Sequence, residues 1–484
     1  MSIKHGIYIQ EEATDVQVAQ TGSSSIQVVV GTAPVNMAEN PSEVVNVPIL
    51  ANSATEAMAA LGYSVDFQKY TLCQTMYATA NLFQASPVVY INVLDPKKHK
   101  KDLAEAEYQI NQKQAVIEKE GIILDGLTVK NATGDVALTL DTDYSAAFDS
   151  TTGFLTITMI AGGKGESATA IKVSGSILDP DAVKKEDIIG AVDPSTGAET
   201  GAQLIRQVYP RLGVVPGLII APGWSQIPEV GLALIAKAAL INGVFRSMAL
   251  VDLDTTKAKK YTDTKKVKED SGYTSPHCYP LWPCDRAGEY ILAKSAVVGA
   301  AVEYIDAGND DVPNLSPSNH LLGVTGQCLA DGTEVVVDQD QANTVNSYGV
   351  ATAINQNGYR LWGNYTGAYP ASADAKDIWF PVRRMFNWQG NNFIQTYFDK
   401  VDNPMNNVLV QSVVDSENIR CSAYAPKYWA GASIEYLTDD NPKTSILAGK
   451  MVFRQHIAPY TPAQDIENIL DYDTDALASA VGGK

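Results

Sequence analysis

The sequence predicts an α+β multidomain protein. It has a mixed α/β sheet core, an inserted β-sandwich domain, and an extended strand arm at each terminus. Three observations carry this reading. Short apolar runs alternate with helix-spaced apolar stripes in two separate stretches, 23–97 and 201–370. Between them, from 112 to 193, short strand-like runs follow one another with turn signals and no helical period. Period-2 segments stand near both ends of the chain, set off by polar or proline-bearing stretches. The boundaries read as an N-terminal arm at 1–22, a first core part at 23–97, the insertion at 98–200, a second core part at 201–370, a C-terminal domain at 371–458 and a C-terminal arm at 459–484.

In the arm, Ile3, Ile7 and Ile9 fall on one side of an extended chain and Tyr8 on the other. The first core part opens with strands at 26–31 and 44–50. Ser53 with Glu56 three residues on is a capping box, since each side chain can satisfy a free backbone N–H of the first helical turn, and Gly62 ends that helix. Leu72, Met76, Ala80 and Phe83 form a second helical stripe, and 88–94 is a buried strand after Pro87. The insertion carries strands at 116–118, 121–130, 136–140, 143–148 and 154–160. The basic run Lys97, Lys98, His99, Lys100 and Lys101 reads as a solvated linker. Gly162-Gly163-Lys164-Gly165 lacks the spacing of a phosphate loop and reads as a hairpin turn.

In the second core part, an apolar strand at 214–220, a helix beginning at Pro228 with few charges, and a strand at 248–253 form a parallel βαβ unit. Asp252 and Asp254 sit at the carboxyl end of its second strand, where α/β enzymes place their sites. A metal-dependent hydrolase using these two carboxylates is the alternative reading of the chain, although no nucleophile, base or phosphate motif accompanies them. A small-residue helix follows at 286–307, then a strand at 334–337 and a short helix at 342–348. The C-terminal part begins with helices at 377–397 and 404–414 and ends in strand patterns. In these, Met451, Phe453 and Ile457, and then Ile466, Leu470 and Tyr472, alternate with polar residues before a short helix at 475–481.

Composition removes several function classes. A net charge of −19 repels phosphate and disfavours direct nucleic-acid binding. There is no run of 18 apolar residues, so membrane insertion is not expected. The N-terminus lacks the apolar core of a secretory signal, which points to folding in a cytoplasm. The five cysteines, Cys73, Cys278, Cys284, Cys328 and Cys421, are odd in number and irregularly spaced, as for reduced thiols. His277, Cys278 and Cys284 lack a fourth ligand at zinc spacing, and no cofactor is expected.

The most informative run is Asn355 to Gly367, NQNGYRLWGNYTG. Asn357-Gly358 is a turn pair, and the flanking residues alternate as in a hairpin. The run resembles the lWGNrT signature of contractile tail sheath proteins of bacteriophages and phage-derived bacteriocins, with Tyr365 where that family often has arginine. HGIYIQE near the start, the 218–223 and 248–254 runs, SPSN at 316–319, the Arg383-Arg384 run and the stretch from Gly449 to Asp473 are similar to the same family in the same order. The resemblance implies a structural, non-enzymatic subunit that polymerises helically around an inner tail tube and contracts to drive it through a cell envelope. Its partners would be further copies of itself, the tube protein, and the baseplate and tail terminator proteins. It would assemble in a bacterial host cytoplasm and then belong to the tail of a virion or phage-tail-like particle. Terminal strands would complete a neighbour's sheet, which assigns Ile7, Tyr8, Ile9, Met451, Phe453, Ile466, Leu470 and Tyr472 to inter-subunit arms. By the same resemblance Arg383 and Arg384 would face the tube. Gly358, Trp362, Gly363, Asn364 and Thr366 would form the signature core.

Overall fold

The computed structural model describes residues 24–133 and 135–482. Ile7, Tyr8 and Ile9 therefore lie outside the described residues. The body is built on a six-stranded mixed sheet in the order Cys278–Leu281, Met248–Asp252, Leu218–Ile220, Gln27–Gly31, Val88–Asn92, Pro48–Ala51. All neighbours pair in parallel except the edge strand Pro48–Ala51, which is antiparallel to Val88–Asn92. Every residue of the Gln27–Gly31, Val88–Asn92 and Met248–Asp252 strands is buried. That is why these strands read as continuous apolar runs and not as alternations.

Helices cover the sheet. Pro228–Ala239 connects the parallel strands Leu218–Ile220 and Met248–Asp252, completing the βαβ unit, with proline in its first turn. Ser53 caps Ala54–Leu61 by accepting from Glu56 N at 3.1 Å, while the Glu56 carboxylate returns to Asn52 N at 2.8 Å, one residue further out than a strict capping box. The helix at Lys294–Ala307 starts later than the sequence suggested. Cys284–Ala287 and Tyr290–Leu292 form a hairpin instead, turning at Gly288, whose φ is 63°. The strand expected at 334–337 reduces to a single bridge between Glu334 and Cys328.

The segment between the two core parts forms two antiparallel sheets. One has the order Lys100–Gln109, Ala170–Leu178, Ile122–Asn131, Ala137–Leu138, and the other Gln114–Ile117, Leu155–Met159, Tyr144–Phe148. Leu103, Val129, Ile157, Ile171 and Val173 meet in a hydrophobic cluster of their own, separate from that of the main sheet. The basic run at 97–101 is no linker. Lys100 begins a ten-residue strand, His99 is buried, Lys98 pairs with Asp187 and Lys101 with Asp179. Gly162, at φ 84°, turns the chain between the two sheets, and Lys164 N donates to Asp143 Oδ1 at 2.8 Å.

Towards the C-terminus, Phe380–Tyr397 and Asn407–Tyr424 pack with a two-stranded antiparallel ladder, Trp429–Glu435 with Arg454–Pro459, around Met385, Trp388, Cys421, Tyr428 and Trp429. Glu417, fully buried, accepts from Arg420, Gln389 Nε2 (2.6 Å), Gln455 Nε2 (2.8 Å) and Tyr397 OH (3.1 Å), tying both helices to the ladder. All five cysteines are free thiols.

Candidate assembly surfaces

The Thr352–Asn355 and Tyr359–Trp362 strands pair as a hairpin whose turn, Asn357 and Gly358, has φ of 54° and 110°. Gly363 follows at φ 145°, and a Cβ there would meet Ala351 Cβ at 2.8 Å, so only glycine lets the two backbones approach. Its N–H donates to Ser318 Oγ at 3.0 Å, and its carbonyl accepts from Tyr279 OH at 2.7 Å. Trp362 Nε1 donates to Asn343 Oδ1 at 2.9 Å. Asn364 is buried, accepts from Ser316 Oγ, and donates from Nδ2 to Gln464 Oε1 at 3.1 Å. The Thr366 hydroxyl donates to the carbonyl of Asp377, and its N–H to that of Ile378 at 2.8 Å. The run is thus a junction that joins the 316–318 loop, the start of the Phe380–Tyr397 helix and the root of the C-terminal tail. Tyr365 stacks on Tyr369 and Trp379 with centroids 3.9 and 4.7 Å apart, so at this position an aromatic sandwich stands in place of an arginine.

Arg383 and Arg384 correct the sequence reading. They do not form an exposed basic surface, because the two residues are 5 % and 3 % exposed. Arg384 pairs with the fully buried Asp306, whose Oδ2 also accepts from Ser24 Oγ at 2.8 Å. Arg383 Nη1 donates to Asp377 Oδ1 at 3.1 Å. Two helix positions that look like a solvated basic pair are therefore spent on tying this helix to the Lys294–Ala307 helix and to the turn that precedes it.

The arm residues divide. Met451 and Phe453 precede the Arg454–Pro459 strand and are half-buried, with the Phe453 ring against Phe393 and Tyr436. Phe453 thus packs on its own body and does not reach outward. Ile466, Leu470 and Tyr472 are 83, 87 and 72 % exposed, in a stretch, 460–473, that carries no secondary structure, before a helix at Thr474–Val481. Their apolar side chains have nothing to cover them within the described chain. The Trp429–Glu435 and Arg454–Pro459 ladder stands alone as a two-stranded sheet among the described residues.

Asp252 and Asp254 line one cavity of about 360 Å³ at the carboxyl ends of the parallel strands, with Gly223, Thr255 and Cys284. Their donors account for them. Asp252 is buried, with Oδ1 accepting from Ser295 N at 2.8 Å and Oδ2 from the Ser295 and Ser225 hydroxyls at 2.6 and 2.9 Å. Burial nonetheless pushes its carboxyl above the usual range. Asp254 holds a turn, accepting from Thr256 N and Oγ1 at 2.9 and 2.6 Å and pairing with Lys257 at 3.1 Å. Burial opposes its charge, but the Thr256 and Lys257 hydrogen bonds keep the carboxyl below its ordinary value. No group of three metal-ligating side chains occurs among the described residues. His277, instead of facing a metal, bonds through Nδ1 to the Ser247 carbonyl at 2.9 Å. No described helix is long and apolar enough to cross a membrane.

No protein-family model matches the chain. It is similar to the tail sheath protein of Burkholderia phage BcepMu, 25 % identical with 99 % of this chain and 98 % of that protein covered. It is also similar to the tail sheath protein of Escherichia phage P2, 22 % identical over 58 % of this chain and 69 % of the other. Among solved structures, the PVC sheath of an extracellular contractile injection system in its contracted state shares the fold, with a TM-score of 0.57 at 13 % identity, covering 98 % of this chain and 99 % of the other. The helical sheath of the anti-feeding prophage in its contracted state gives 0.56 at 14 % identity, covering 98 and 100 %. The similarity thus extends from one end of the chain to the other, and each of these proteins is a sheath.

Proposed function

We propose that this chain is the repeating structural subunit of a contractile tail sheath, which polymerises helically around an inner tube and contracts to drive the tube through a cell envelope. The observation that carries the reading is the full-length similarity to a phage tail sheath protein. The exposed tail supports it, because a row of apolar side chains at 466, 470 and 472 left in water is stabilised only by a partner. The isolated two-stranded ladder supports it too, since the outer edges of such a ladder present backbone groups for added strands.

On this reading the segment 98–200 is a β-sandwich domain inserted in the core, and the N-terminal arm at 1–22 and the tail after Gln464 add strands to neighbouring subunits. Ile7, Tyr8 and Ile9, and Ile466, Leu470 and Tyr472, are the apolar residues of those strands. The tube protein, baseplate and terminator are the further partners, and assembly takes place in a bacterial host cytoplasm. The work of contraction is the difference in packing free energy between two arrangements of one chain, so no nucleotide is required. The carboxylates Asp252 and Asp254 are structural, holding a helix start and a turn.

The test is negative-stain electron microscopy of the purified full chain beside a version ending at Gln464 and one lacking residues 1–22. Hollow striated sleeves from the full chain and monomers from both truncations are expected. Monodisperse particles from the full chain, even when it is coexpressed with its tube protein, would overturn the assignment.

A further inference from the structure

The C-terminal tail touches the body at few points after its last strand ends at Pro459. Tyr460 OH donates to the Pro426 carbonyl at 2.9 Å. The chain then passes along a groove of about 610 Å³ bordered by Asn343, Asn346, Ser347 and Trp362. At Gln464 it is gripped again. The side-chain carboxamide uses both ends: Oε1 accepts from Asn364 Nδ2 at 3.1 Å, and Nε2 donates to Tyr365 OH at 3.0 Å.

Each gripping residue is itself held. Asn364 is 7 % exposed and fixed by Ser316 Oγ on one side and by Phe380 N, which donates to its carbonyl at 2.8 Å, on the other. Tyr365 cannot tilt without unstacking from Tyr369 and Trp379. Beyond Gln464, Ile466, Ile469 and Leu470 are all more than four-fifths exposed.

We propose that Asn364 and Tyr365 of the signature run are positioning residues that anchor the root of the C-terminal tail through Gln464, so that the tail swings from residue 465 and not from the end of the Arg454–Pro459 strand. The anchor ties the tail's exit to the rigid junction of core hairpin and long helix. It shortens the mobile tether by the five residues 460–464. The eight residues 465–472 that follow reach about 26 Å when extended. The inference rests on the sheath reading only for what the tail does once it leaves. The anchor itself is a property of the single chain.

The experiment separates the two. Cys284, the one cysteine that is not buried, is replaced by serine, and a nitroxide is placed on the full chain at Asp465→Cys or, as a free-tail reference, at Leu470→Cys. The electron paramagnetic resonance spectrum at 465 is expected to be restricted and that at 470 mobile. Gln464→Ala should raise the ratio of mobile to restricted label at 465 about tenfold, the loss of two partly exposed hydrogen bonds. Tyr365→Phe, which keeps the stack and removes the hydroxyl, should raise it about threefold. Gln464→Glu keeps an acceptor for Asn364 and gains one for the Tyr365 hydroxyl, so it should stay restricted. A label at 465 as mobile in the parent as at 470, or one unchanged by Gln464→Ala, overturns the anchor. Sleeve formation by the unlabelled variants is scored separately: absence of sleeves from the parent chain counts against the sheath reading and leaves a restricted label at 465 standing.

Discussion

The buried carboxyl of Glu303 gives the most quantitative handle on this fold. Glu303 lies on the Lys294–Ala307 helix, 2 % exposed, and its one side-chain hydrogen-bond partner among the described residues is Gln27 in the central strand, whose Nε2 donates at 2.6 Å. Glu303 Oε1 and Gln27 Oε1 both lack a donor, an arrangement that a proton on the carboxyl would satisfy. Burial, with Asp306 and Asp311 nearby, pushes the group from its ordinary 4.5 to about 8. The folded state therefore keeps a proton that the unfolded chain has released. Its contribution to stability is whole below pH 4.5 and is lost progressively as pH rises through about 8. At about 1.4 kcal/mol per pH unit, the full loss across that window is on the order of 5 kcal/mol.

Glu303→Gln is neutral at every pH and can present both a donor and an acceptor to Gln27. Urea unfolding of the two proteins, followed by circular dichroism at about pH 5, 7 and 9, should show a gap that widens with pH. The glutamine variant should gain on the order of 4 kcal/mol relative to its position at pH 5, most of it by pH 8. A gap constant from pH 5 to 9 would refute the reasoning, because it would mean that the carboxyl is ionised inside the sheet at neutral pH.

Arg384→Ala leaves Asp306 buried without its cation and should cost about 3–5 kcal/mol, read as a lowered unfolding midpoint; a neutral effect would restore the exposed-surface view of this pair. Gly363→Ala forces a side chain onto φ 145° and against Ala351, and should cost about 1–3 kcal/mol in the same assay. Burial works against the Glu417 charge, but Arg420, Gln455 and Gln389 hold its carboxyl below the ordinary value. Its share of stability is therefore present at neutral pH and lost as pH falls through the folded value, so Glu417→Gln should flatten the acid limb of the stability curve below the ordinary glutamate range. Ser295→Ala strips the hydroxyl donor to Oδ2 from buried Asp252, leaving the Ser295 backbone N–H bond in place, and should cost about 1–3 kcal/mol, whereas a catalytic pair would instead reveal itself as a hydrolytic activity lost at unchanged stability.

The elements that were legible in the sequence are those whose burial is written into single residues. The runs around 26–31, 88–94 and 248–253 are apolar on both faces because helices cover both faces, and the Asn357-Gly358 turn is fixed by backbone sterics alone. The strand Lys100–Gln109 was missed because only Leu103 in it is buried; its charges face water, and its pairing with Ala170–Leu178 is set by backbone hydrogen bonds that leave no side-chain period. The bulge near Gly175 breaks the alternation of the partner strand in the same way. At the candidate surfaces, the signature was visible as a motif but its partner Gln464 was not, since nothing in a glutamine 100 residues away marks it as a ligand. The burial of Arg383 and Arg384 was hidden for a similar reason. An arginine is buried only when a carboxylate waits for it; Asp377, the partner of Arg383, is six residues away, but Asp306, the partner of Arg384, lies 78 residues upstream.

The register that opens and closes the two small sheets has a consequence for exchange of parts. Lys100 and Leu178 are cross-strand partners, and Asp179 N donates to the His99 carbonyl at 2.9 Å, so the segment leaves the body and returns to it at neighbouring points. Most of its buried apolar residues form their own cluster, while Ile123 and Leu178 pack into that of the main sheet. The two ends are held side by side, so another module can be spliced onto the same pair of ends provided that the contacts of Ile123 and Leu178 with the main core are replaced. Residues 100 and 178 are thus the ends at which an engineer could vary this segment independently of the main sheet.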